Sequence, residues 1–230
     1  MSKFKIDLDV RGSLAQGEAV LVYLPEQLVE EKSSFSQERF KNLIVLNSPL
    51  PSTEDLEEFS EALVKGIKDL GVKRATIIGV RGGGVIAQAI TLADRKLCRR
   101  LVLINPSTRL EPGFFQSVID FVERVLPFGL PLRLSRGEFD SRSYAHRIDC
   151  PALVLTCSDS TSYEKRQAKQ FQYALPNVWN IRCESQLYGK GKDLSGAICD
   201  LVEEFMNIPP RRPQKNLGTS LINSQINQSG

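Results

Sequence analysis

Residues 75 to 90 read "ATIIGVRGGGVIAQAI". The first six residues are apolar or β-branched and suit a strand buried on both faces, and "GVIAQAI" suits a short apolar helix. Between them stand Arg81 and the glycines at 82, 83 and 84, residues that let a chain reverse within a tight turn. The unit is therefore strand, sharp turn, helix, with a long cation at the tip of the turn.

The same alternation extends outward on both sides. Upstream, "FKIDLDV" and "EAVLVYL" alternate as strands do and are separated by the turn-prone "RGSLAQG", and "NLIVLN" is a continuous apolar run. A helix is expected after Pro51, with Ser52 and Asp55 at capping-box spacing, Leu56, Phe59, Leu63, Ile67 and Leu70 on one face, and Gly71 at its end. Downstream come the strand "RRLVLINP", the strand "PALVLTC", a helix around "SYEKRQAKQFQYAL", the strand "VWNIRC" and a last helix carrying Leu194, Ile198, Leu201, Val202 and Phe205 on one face. Strands that alternate with helices imply a mostly parallel sheet covered by helices on both faces.

Two segments break the rhythm. Residues 106–149 form an insert with one amphipathic helix (Phe115, Val118, Ile119, Val122, Val125, Leu126), expected to be a short helical cap. Residues 207–230 are proline-broken and polar and read as a disordered tail, leaving 1–206 as the folded domain.

The totals narrow the function classes. A chain of 230 residues fits one larger domain, and a net charge of +3 is too small to argue for nucleic acid. No apolar run is long enough to span a bilayer and the first residues lack a signal-peptide core, so a cytoplasmic location is expected. The five cysteines form no Cys-x-x-Cys pair and read as small buried hydrophobes, and the single histidine, His146, excludes a histidine-rich metal site. No cofactor or metal is expected.

The order of these segments resembles the α/β-hydrolase superfamily over roughly residues 3 to 206. "EAVLVYLPE" is similar to the strand before the oxyanion loop, "GVRGGG" to the nucleophile elbow, "RRLVLINPS" to the strand before the cap and "CPALVLTCSDS" to the strand that delivers the acid. The resemblance implies an α/β-hydrolase-like central sheet with a short cap. It also marks what is missing. The elbow of that superfamily is Gly-x-Ser-x-Gly, and here Gly79, Val80, Arg81, Gly82 and Gly83 keep the glycines without the serine. In the acid's register stands Ser160, with Asp159 one residue early; the loop "ESQLYGKGKDLSG" holds no histidine; and Leu24 and Pro25 replace the oxyanion-loop dipeptide. A triad needs nucleophile, base and orienter within mutual reach, so the resemblance implies a degenerate member, a pseudoenzyme.

Arg81 is the most informative residue. With the backbone of Gly82, Gly83 and Gly84 it could bind a carboxylate or phosphate; it could pair internally with Asp159; or it could reach water from a relaxed turn. "GVRGGG" matches neither a dinucleotide fingerprint nor a P-loop. The expected function is a non-catalytic binding or interaction protein, with ligand contacts at Arg81, Gly82, Gly83 and Asp159 and either a protein partner or a small anion as occupant. The alternatives are a small-anion receptor using Arg81 and an unorthodox hydrolase using Cys157, Asp159 or His146.

Overall fold

A computed structural model describes residues 4–12, 14, 20–24, 40, 42–48, 51, 55–107, 142–189 and 194–209 of the chain. Its centre is a seven-stranded sheet: β1 (Leu8–Arg11), β2 (Val20–Leu24), β3 (Leu43–Leu46), β4 (Ala75–Val80), β5 (Cys98–Ile104), β6 (Ala152–Thr156) and β7 (Val178–Arg182). The helices are α1 (Leu56–Asp69), α2 (Gly83–Ala93), α3 (Arg142–Ala145), α4 (Ser162–Ala174) and α5 (Gly196–Asn207). The strand order is β1-β3-β2-β4-β5-β6-β7, and every adjacent pair is parallel except β1 with β3. The first two strands are thus not hairpin partners; β3 lies between them.

Strand periodicity divides the core. Ile44 and Leu46, Ile77, Leu101 and Leu103, and Ala152 and Val154 pack with α1, α2 and α4 on one face. Leu43 and Val45, Ile78 and Val80, Val102 and Ile104, and Leu153 and Leu155 pack with α5 on the other. Because successive side chains point to opposite faces, these apolar runs need helices on both sides, as their composition predicts. Arg100 belongs to the α5 face. It is buried, donates to the Ile208 carbonyl at the end of α5, and lies 5.9 Å from the Phe205 ring centroid. A cation there also complements the negative end of the helix dipole.

One irregularity interrupts β5. Ala75 pairs with Cys98 but Thr76 with Arg100, so Arg99 is an extra, bulged residue. The bulge turns Cys98 onto the α1–α2–α4 face, away from the face of Arg100.

Helix ends follow local chemistry. The α1 helix starts at Leu56, with Asp55 at its N-cap and no side-chain cap bond, a later start than the Ser52 capping box implies; Ser52 itself lies outside the described residues. Gly71, at φ 83°, ends the helix in the left-handed conformation that glycine adopts without penalty. The capping box is found instead on α4, where Thr161 and Glu164 cap each other reciprocally, an arrangement worth about 1 kcal/mol. The expected cap helix around Phe115–Leu126 and the tail beyond residue 209 lie outside the described residues. No described helix is long and apolar enough to cross a membrane.

Candidate functional site

In an open parallel sheet the ligand crevice lies beyond the carboxyl ends of the strands. Arg81 follows β4, Asn105 follows β5, and Cys157 to Ser160 follow β6 at that edge. The first turn of α4 adds Glu164.

The elbow after β4 is as sharp as its glycines suggest. A Cβ on Gly79 would lie 2.5 Å from the Gly84 Cα and 2.6 Å from the Gly83 carbonyl oxygen, so the strand and the helix leaving it touch backbone to backbone. Arg81 sits at φ 47°, left-handed for a non-glycine residue, which costs on the order of 1–3 kcal/mol. Its N–H donates to the Ile104 carbonyl at 3.0 Å, and its own carbonyl accepts the Gly84 N–H at 2.9 Å. Of the three glycine N–H groups expected to face an anion, that of Gly84 therefore has a partner inside the turn.

The carboxylate that meets the guanidinium is Glu164. Arg81 Nε lies 2.8 Å from Glu164 Oε1, with the two side chains 17% and 5% accessible, a largely buried ion pair. The other oxygen, Oε2, accepts from the Thr161 N–H at 2.7 Å and the Thr161 hydroxyl at 3.2 Å. One carboxylate thus caps α4 and neutralises the elbow. Asp159, the pairing residue considered from the sequence, is exposed, and its Oδ1 accepts the Leu187 N–H at 3.0 Å.

Asn105 joins the neighbouring strand ends. It is fully buried and, like Arg81, sits at φ 47°, a conformation asparagine tolerates better than most residues. Its Oδ1 accepts the Cys157 N–H at 2.9 Å and the Ser160 hydroxyl at 2.6 Å. The backbone donor fixes which amide atom is oxygen, so the remaining atom is the NH2 group. Among the described residues that buried Nδ2 meets no hydrogen-bond partner, an arrangement that costs roughly 1–3 kcal/mol where it goes unmet. Ser160, in the register of a catalytic acid, serves this strut.

Chemically the cluster is poor in nucleophiles. A guanidinium stays protonated and cannot attack a carbonyl. Cys157 is fully buried, and burial first, then the nearby Asp159, Cys183 and Glu164 carboxylates and thiol, push its pKa up to about 12. It is a neutral thiol at ordinary pH, and the thiolate is the reactive form. His146 is exposed in the turn after α3 that leads to the amino end of β6, whereas the cluster sits at the carboxyl ends. Among the described residues no group of three or more His, Cys, Asp or Glu side chains is arranged to hold a metal ion.

Solved structures share this architecture. The chain has the α/β-hydrolase fold. MenH from S. aureus superposes with a TM-score of 0.63 at 15% identity, over 86% of this chain and 97% of that one. Naproxen esterase from Bacillus subtilis gives 0.63 at 12% identity over 87% of each chain, and the enol-lactonase from Burkholderia xenovorans LB400 gives 0.61 at 15% over 87% and 96%. At these identities the likeness is one of fold. No family model and no curated protein matches the sequence. Within the fold, β4, Arg81 and α2 form the sharp strand–turn–helix elbow.

Glu164 and Asn105 join the cluster without being among the site residues expected from the sequence. Glu164 had a signal, since "TSYE" at 161–164 has the S/T-x-x-E spacing of a capping box. Asn105 stands before a proline at a strand end, a position that marks a turn but not the strut it forms.

Proposed function

We propose that this chain is a non-catalytic protein of the α/β-hydrolase fold that works by binding, using the cleft above Arg81, Gly82, Gly83 and Asp159. The observation that carries this reading is the Arg81–Glu164 ion pair at the tip of the elbow, 2.8 Å long and largely buried. The position that a covalent mechanism reserves for a nucleophile is occupied by a cation held in place by a carboxylate. Because Glu164 already meets that cation, a small anion would have to compete with a group built into the fold. This favours a polypeptide partner over a small-anion ligand.

Restoring the hydroxyl tests the reading. Arg81→Ser is expected to hydrolyse an activated ester no faster than the parent protein, because no histidine stands near to take the serine's proton and Pro25 has no N–H to offer an oxyanion. Ester hydrolysis by Arg81→Ser clearly above the parent would show that only the nucleophile was missing and that the site is otherwise competent.

A further inference from the structure

At the opposite, amino-terminal edge of the sheet, Cys98 opens β5 and Cys150 stands two residues before β6. The parallel register sets Leu101 beside Ala152, which would leave Arg99 beside Cys150 in a regular ladder. The bulge at Arg99 instead turns Cys98 to the face on which Cys150 packs, and the two sulfurs lie 3.7 Å apart. Adjacent strands run about 4.8 Å apart, within the span that a disulfide bridges without backbone movement.

The hydrogen bonds order the two thiols. Cys98 Sγ contacts the Arg100 carbonyl at 3.2 Å and, as a thiol, donates to it. The sulfur–sulfur contact is then made by the Cys150 S–H, donated to Cys98. That bond, together with burial, raises the Cys150 pKa, so Cys150 rests as a neutral thiol and its exchange speeds up as alkali populates the thiolate. Cys98 is buried, whereas Cys150 is half-buried and is the sulfur a reagent meets first.

We propose that Cys98 and Cys150 form a redox-active dithiol that a small-molecule disulfide converts into an intrachain disulfide. Cys150, on losing its proton, attacks one sulfur of the reagent; a protein–reagent mixed disulfide forms and one small thiol leaves. Cys98 then loses its proton and attacks Cys150 Sγ, the protein disulfide forms, and the second small thiol leaves. Two electrons pass from the two cysteines to the reagent, and the two protons leave with the small thiols. The product ties the start of β5 to the entry of β6 and brackets everything between residues 98 and 150, the insert included.

Oxidised glutathione is the probe, applied to the folded full-length chain in mildly alkaline buffer and read by intact mass and peptide mapping. The expected product is lighter than the parent by two hydrogens, retains no glutathione at these two residues and yields one linked peptide pair, Cys98 with Cys150. Cys98→Ser should stop at the first stage, with one glutathione held on Cys150, and Cys150→Ser should leave Cys98 free. A parent that keeps both thiols free while the urea-unfolded chain reacts, or that accumulates glutathione on Cys150 as Cys98→Ser does, would overturn the proposal.

Discussion

Gly79→Ala is expected to destabilise the fold by at least about 3 kcal/mol, a large share of the roughly 5–15 kcal/mol that holds a domain of ordinary stability. The added methyl would lie 2.5 Å from the Gly84 Cα, 2.6 Å from the Gly83 oxygen and 2.7 Å from the Gly84 nitrogen. All three are backbone atoms, so no rotamer change makes room. Relief requires moving α2 off β4, and α2 carries Val85, Ile86 and Ile90 into the core. Gly84→Ala is the matched control. Among the described residues its Cβ would meet only the Leu103 Cδ2 at 3.5 Å and the Gly79 oxygen at 3.8 Å, ordinary contacts, and alanine is favoured over glycine in a helix by about 1 kcal/mol. Urea unfolding should show a much lower midpoint for Gly79→Ala and an unchanged or higher one for Gly84→Ala, at equal slope. Equal midpoints for the two variants would mean that the elbow is looser than its geometry states.

Arg81→Ala carries the second large effect, a loss of about 2–4 kcal/mol. The guanidinium leaves while the Glu164 carboxylate, 5% accessible, stays buried with the Thr161 donors still in place. Those donors are neutral, so the substitution takes a full counter-charge away from a buried carboxylate, which is what makes breaking such a pair from one side costly. Arg81→Gly should be more stable than Arg81→Ala by about 1 kcal/mol, because both lose the pair and only glycine sheds the strain of φ 47°. A double-mutant cycle with Glu164→Gln isolates the pairwise energy, expected at roughly 1–3 kcal/mol. A coupling near zero would place Arg81 effectively in solvent.

The alternation of apolar runs with one-faced helices was enough to read a mostly parallel sheet with helices on both sides, because both faces of β3, β4, β5 and β6 must be buried and their sequences are apolar at nearly every position. The elbow was legible for a related reason: a run of glycines after a buried strand fits only a turn of this tightness. What stayed hidden depends on distance across the chain. Arg81 and its carboxylate are 83 positions apart in sequence, and choosing Glu164 over Asp159 requires knowing that the first turn of α4 folds back over the elbow while Asp159 turns outward to Leu187. The bulge at Arg99 leaves no mark in composition, yet it decides that Cys98 meets Cys150. The place of β1 beside β3 was equally invisible, since alternation marks a strand and not its neighbour.

A cleft that binds without turning over is distinguished from an active site by incubating the purified parent with a panel of activated esters and thioesters. With Arg81 held by Glu164 at the elbow tip and Cys157 a neutral buried thiol, product should form at the rate of the buffer blank. Turnover above that blank which is lost on replacing Cys157, Asp159 or His146 would make this chain an enzyme of unusual constitution and not a binding protein.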